Sequence, residues 1–222
     1  MRSPALYHPP VTWATYATFT AFAALVVIAP GPDFALVLRN SIARGRSAGL
    51  YTSLGVITSC LAQGTLAAFG VGVLIARSQP LFLAVRWAGV AYLCYLGVQS
   101  LVAARRGSDG GSTGTLNADR RTRRLVSWRQ GFLCNITNPK VLAFYLSVLP
   151  QFLGHAGGAP AVDALALAYT HALLGVVWLV ALVMLLQRVR PWIQRRRVRR
   201  TLDAVTGTAL IGFASALAVE SR

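Results

Sequence analysis

Six stretches of the chain carry no charged residue: Ser3 to Pro32, Ser47 to Ala76, Trp87 to Ala104, Val141 to Val162, Ala164 to Gln187 and Ala204 to Val219. Each is near or above the roughly 17–25 residues a helix needs to cross a bilayer core of about 30 Å. The pattern predicts about six transmembrane helices, near 13–38, 49–76, 80–103, 131–153, 162–187 and 201–219. Arg86 falls inside the third and Asp203 near the start of the last, where snorkelling or capping accounts for such groups. The expected fold class is all-α integral membrane, one transmembrane domain over residues 1–222. Before the first span only Arg2 precedes Pro4, Pro9 and Pro10, and a cleaved signal peptide is not expected.

Composition agrees. Hydrophobic residues make up 55% of the 222, mean hydropathy is +0.55, and charged residues are 13%, against about a quarter in soluble domains. A net charge of +16 would suit a nucleic-acid binder if the basic groups formed one soluble face. They do not. Arg44 and Arg46 follow span 1, seven arginines lie between spans 3 and 4 (Arg105, Arg106, Arg120, Arg121, Arg123, Arg124, Arg129), and seven between spans 5 and 6 (Arg188, Arg190, Arg195, Arg196, Arg197, Arg199, Arg200). The other side has Arg2, Arg77 and Arg222. The positive-inside rule then places the arginine-rich loops in the cytoplasm and both termini outside. Setting topology explains these loops; attraction to anionic lipid headgroups, about 1 kcal/mol per basic residue, would come with it. No nucleic-acid partner is expected.

Each half of the chain has three spans, so spans 1–3 (about 13–103) and 4–6 (about 131–219) enter the membrane in opposite senses, joined by a basic cytoplasmic linker (about 104–130). Gly107 to Ala118 of that linker reads as disordered. Two inverted three-helix repeats are a common plan among secondary transporters. Each half also holds a proline break followed by a charge: Pro30-Gly31-Pro32-Asp33 and Asn138-Pro139-Lys140.

Proline lacks an amide hydrogen and clashes with the preceding turn, so both spans should unwind there. Broken helices survive at membrane depth only where the freed groups face protein or a water-filled cavity. Pro32 and Pro139 also suit the first turn of a restarted helix. Asp33 and Lys140 are the sharpest candidates, because an ionisable group within a span costs about 2.5–3.5 kcal/mol or more and marks a partner or a pathway. Lys140 is the only lysine among 22 basic residues. A zwitterion would offer an ammonium to Asp33 and a carboxylate to Lys140. The alternative is that Asp33 caps a helix and pairs with Lys140 or Arg39 for stable insertion. Asn135 and Asn138 flank the second break and could line a path or pack equally well. Gln63, Thr58 and Ser59 read as helix-to-helix hydrogen bonds, His171 as structural, and Cys60, Cys94 and Cys134 as buried apolar fillers. Glycines from Gly45 to Gly72, with Gly89 and Gly97, would let helices approach closely.

These residues resemble the lysine exporter (LysE/RhtB) family of amino-acid efflux permeases. The likeness runs along the whole chain: Pro30-Gly31-Pro32, Arg44-Gly45 and Gly49 leading to Gly55, Gly89 with Tyr92-Leu93 and Gly97, Gly131-Phe132-Leu133, Asn138-Pro139-Lys140, and Leu149-Pro150-Gln151-Phe152. The resemblance implies a bacterial inner-membrane exporter of amino acids or related small metabolites, driven by the proton gradient or membrane potential and working as a homodimer. No cofactor or metal is expected, and no nucleophile has an evident base partner for an intramembrane enzyme. A passive channel and a lipid-binding assembly protein are the competing readings; the latter would not need two matched breaks of opposite charge.

Overall fold

Ala29 and Gly31, the residues before Pro30 and Pro32, are both extended (φ −56, ψ 125 and φ −159, ψ −175), as a following proline demands. The first charge-free run is therefore two helices, α1 (Trp13–Ile28) and α2 (Pro32–Arg44), bent by 51°. The computed structural model describes residues 12–69, 79–106, 120–152, 160–189, 192 and 195–219. α2 stops at Gly45, whose φ of 86 only glycine adopts easily, and α3 (Arg46–Ala68) follows at once. Then come α4 (Gln79–Arg106) and α5 (Arg120–Ile136). After the second break lies α6 (Pro139–Ala143), which passes through a π-helical segment (Phe144–Val148) into α7 (Leu149–Phe152). The long α8 (Pro160–Arg188) and α9 (Arg196–Val219) complete the described chain, among whose residues there is no strand.

Helix bounds differ from expectation most at the fourth span, and by five residues at α9, which begins at Arg196 rather than at 201. The predicted fourth span begins at 131, whereas α5 begins at Arg120, so residues 120–130 are helical rather than linker. Arginine is a good helix former, and the run from Arg120 to Leu125 is exposed while Ser127 and Gly131 turn inward. Within the range read as disordered, Gly107 to Ala118 lies outside the described residues, as do Gly70 and Gly72.

Close approach of helices is set by glycine, as expected. A Cβ on Gly55 of α3 would run into the carbonyl of Trp128, and one on Gly131 of α5 into the carbonyl of Thr52. α4 and α9 meet through a second reciprocal pair, Gly97 against the Gly207 carbonyl (3.0 Å) and Gly207 against that of Gly97 (2.9 Å). Two apolar clusters result: one joins α1, α3, the π-helical segment and α8 around Phe19, Phe144, Leu167 and Val183, and the other joins α2, α4, α5 and α9 around Leu36, Leu93, Leu96 and Leu210.

The distribution of polarity is that of a protein in lipid. Trp13 (87% exposed), Leu25, Leu173, Val177 and Leu185 face outward, while Asn40, Gln63, Asn135, Asn138, His171 and Asp203 are buried. Asp203 is thus an interior group and not a snorkelling one. By length and hydropathy Ala161–Arg188 can cross a membrane by itself, and α1 with α2 qualifies as one bent pair.

Candidate functional site

The prolines decide what the site must satisfy. In an unbroken helix the carbonyl of Val26 would accept from residue 30 and that of Asn135 from residue 139, and both of those are prolines without an N–H. The breaks thus deny carbonyls their helical donors, and buried polar groups need partners. Lys140 supplies the first: its Nζ donates to the carbonyl oxygens of Val26 (3.0 Å) and Ala29 (2.8 Å). The second accepts from the Asn138 amide (2.9 Å), and Gln63 Nε2 adds a donor to it (3.1 Å) and to Asn135 Oδ1 (3.0 Å). The ammonium therefore sits at the carboxyl end of α1, where the helix dipole favours a cation.

Beyond each break the helix restarts in the same way. Gly31 is the N-cap of α2 with Pro32 in the first position and Asp33 in the second; Asn138 is the N-cap of α6 with Pro139 first and Lys140 second. Asn138 Oδ1 accepts from the Lys140 amide (3.0 Å), closing the cap. Asn138 Nδ2 and Asn135 Nδ2 both donate to one oxygen of Asp33, Oδ2, at 2.6 and 2.9 Å. Asp33 Oδ1 is buried and has no partner. The carboxylate is half satisfied, at the amino end of α2 where negative charge is favoured.

Asp33 and Lys140 line one cavity of about 50 Å³, together with Asn135, Cys60, His171 and Trp178, room for a few waters. Lys140 has three N–H donors, of which two go to the backbone of α1, leaving one. Among the described residues the two charges do not bond to each other directly. Arg39, the other partner considered for Asp33, instead donates to Gln99 Oε1 at 3.0 Å.

All eight candidate residues gather at the two breaks. Gly31 is buried against Lys140, and a Cβ there would lie 3.3 Å from Nζ. Pro32 is buried and Pro30 exposed. Asn135 and Asn138 do hydrogen-bonding work on Asp33, which the sequence left open between lining and packing. Gln63 bonds between helices as expected. Cys60 departs from an apolar filler, since its Sγ donates to Asn135 Oδ1 (3.4 Å). Beyond its structural role, His171 also reaches the cavity: Nδ1 pairs with the Tyr145 hydroxyl (3.0 Å) and the ring stacks on Phe144.

Sequence reasoning missed Gly175, Trp178 and the π-helical turn that carries Tyr145. It also missed a buried bridge two turns along α2 from Asp33, where Asn40 Nδ2 donates to Thr52 Oγ1 (2.8 Å) and Gln130 Oε1 (3.0 Å). An asparagine, a tryptophan or a glycine alone in an apolar run gives no signal of which neighbour it faces. Among the described residues, no group of three His, Cys, Asp or Glu side chains could hold a metal.

Apolar helices broken at two prolines beside a half-buried acid and a half-buried amine, with polar side chains turned inward, are the plan of an integral membrane protein. The chain matches the LysE type translocator family over residues 24–221 and belongs to that family. It is 34% identical over 198 residues to the uncharacterized membrane protein YrhP of Bacillus subtilis, covering 88% of this chain and 94% of that one. It is 29% identical over 204 residues to the leucine efflux proteins of Salmonella typhimurium and Klebsiella pneumoniae, covering 91% of this chain and 94% of theirs. No solved structure matches the chain.

Proposed function

We propose that this protein is a secondary active exporter of amino acids or closely related small metabolites across the bacterial cytoplasmic membrane, and that Asp33 and Lys140 hold the substrate. The observation that carries this reading is that Asp33 and Lys140 line one cavity with bonding capacity to spare: Oδ1 of Asp33 is buried without a donor, and Lys140 keeps one N–H beyond the two it gives to the α1 backbone. An α-ammonium and an α-carboxylate fit them in sign and number. The leucine efflux relatives support an amino-acid substrate.

Proton coupling is the second part of the proposal. Asp33 Oδ1 can take a proton or a substrate ammonium, but one excludes the other. Inward protons exchanged for outward zwitterions would move one charge per cycle down an inside-negative potential, about 2.3 kcal/mol per 100 mV. At about 1.4 kcal/mol per tenfold, that sustains a gradient of roughly 50-fold. A cavity of about 50 Å³ is small for an amino acid, so loading requires the two halves to move apart.

The architecture proposed is six spans in two inverted repeats, α1 to α4 and α5 to α9, in a protein that works as a dimer. Two features support the repeat: the identical order of N-cap, proline and charge at both breaks, and the packing of like on like, α3 against α8 and α4 against α9. Three contacts gather the arginine-rich segments at one end: Arg124 over the Tyr51 ring, Arg39 to Gln99, and Arg200 Nε donating to the Ala104 carbonyl (2.9 Å). That end is the cytoplasmic one in this reading, with anionic headgroups beside it.

Export of labelled amino acids from loaded cells tests the assignment, comparing wild type with Asp33→Asn and Lys140→Met at matched membrane abundance. Both variants should lose most export, and an uncoupler should collapse the wild-type gradient. Wild-type efflux no faster than that of cells without the protein would overturn the exporter reading. Efflux that never exceeds the outside concentration would indicate a channel.

A further inference from the structure

The two charges account for the ends of a zwitterion and leave its side chain to the rest of the cavity. Much of that remaining wall comes from α8, where His171, Gly175, Trp178 and Leu179 line the cavity at spacings that put them on one helix face. Val27 and Val56 add apolar surface from α1 and α3. Gly175 stands out among these. A glycine inside a helix costs about 1 kcal/mol relative to alanine, and at Gly64 of α3 close packing explains the cost, since a Cβ there would meet Ala168 Cβ at 2.7 Å. At Gly175 it would meet nothing within 4 Å. No neighbouring helix requires the glycine, and the space it leaves borders the cavity. One turn further on, the indole Nε1 of Trp178 is buried and has no hydrogen-bond partner.

We infer that Gly175 and Trp178 form the side-chain subsite, with Gly175 setting the largest side chain admitted and the Trp178 N–H donating to the occupant. The wall is apolar apart from that donor and the imidazole, and it offers no second carboxylate for a basic side chain among the described residues. The substrate class is therefore a neutral amino acid with an apolar side chain of medium length, and the indole donor is available to its carboxylate beside Lys140. This rests on the exporter reading of the same cavity.

The experiment is competitive efflux from cells loaded with labelled leucine and alanine, using wild type and the series Gly175→Ala, Gly175→Val and Gly175→Leu. Gly212→Leu serves as the control, since a Cβ at Gly212 on α9 also meets nothing within 4 Å but does not line the cavity. The leucine-to-alanine export ratio should fall stepwise along the series, by about tenfold or more at Gly175→Leu, the scale set by one to a few methylenes in an apolar pocket. Gly212→Leu should leave it unchanged. Trp178→Phe, which keeps the ring and removes the N–H, should lower export of both amino acids severalfold without moving the ratio. If wild type exports and the ratio stays constant along the series, or shifts equally in Gly212→Leu, the subsite assignment is wrong while the exporter reading stands. Absence of amino-acid export by wild type overturns both. Should Gly175→Leu fail to insert, Gly175→Ala alone decides, because a single methyl must already move the ratio.

Discussion

Gln63 shows how a single side chain holds the site in register. Its amide adds a donor to the Asn135 carbonyl, which also accepts from the Asn138 backbone amide, and the same nitrogen reaches Asn135 Oδ1, fixing the orientation in which Asn135 Nδ2 faces Asp33. Gln63→Leu keeps the bulk and removes the hydrogen bonds that Gln63 donates to Asn135, worth about 0.5–1.5 kcal/mol each. The melting temperature in detergent should fall accordingly, and export should fall with it because Asp33 loses an oriented donor. Gly31→Ala is expected to behave in the opposite way. The backbone at Gly31 is extended, which alanine accepts, and the new methyl would meet only the end of a flexible lysine, at 3.3 Å. Stability should therefore change by under about 1 kcal/mol, within the range of an unremarkable substitution, while export drops severalfold as the ammonium is displaced from Val26 and Ala29. A Gly31→Ala protein that melts early but transports normally at equal abundance would contradict the placement of Lys140.

At the scale of elements, the bundle relies on glycines that face backbone rather than side chains. A side chain opposite can rotate away, but the Thr52 and Trp128 carbonyls cannot, since they belong to the α3 and α5 ladders. Gly131→Leu should then separate α3 from α5 and cost more than the 1–3 kcal/mol typical of overpacking a core, read as loss of membrane abundance and of a cooperative melt. The two breaks were legible in the sequence because proline acts locally, and the charge beside each followed from the expense of ionised groups in lipid. Which side chains would bond the carbonyls at the breaks was not legible: Lys140 reaches Val26 across 114 positions and Gln63 reaches Asn135 across 72, and such pairings depend on how helices dock. Nor could the helical start at Arg120 be read, because arginine density sets topology without distinguishing a helix from a loop. The π-helical turn at Phe144–Val148 has no local signature, yet it belongs to the segment that presents Tyr145 to His171.

For the whole molecule, the paired breaks and the gathered arginines make one claim that a labelling experiment can decide. If the two halves are inverted copies, Arg44 to Arg46, Arg120 to Arg124 and Arg195 to Arg200 share the cytoplasmic face, and the start of α1 lies on the other. Of the native cysteines, Cys60 and Cys134 are buried and Cys94 is half-buried, so a Cys94→Ala background gives little reaction of its own. In it, Ser47→Cys, Thr122→Cys and Thr201→Cys should resist a membrane-impermeant thiol reagent in intact cells and react once the membrane is opened, whereas Thr12→Cys should react in both. The three inner positions test separate segments, so they must agree for the inverted-repeat plan to hold. Labelling of all three from outside would reverse the orientation and put the net export direction in question, because the site would then see the opposite electrical gradient. A split result, with Thr122→Cys and Thr201→Cys on different faces, would remove the α5–α7 segment or α8 as a complete span and with it the like-on-like pairing of α3 with α8. Agreement would mean that Asp33 and Lys140 approach the cavity from opposite halves, so that separating the halves pulls the two charges apart and releases a zwitterion held between them.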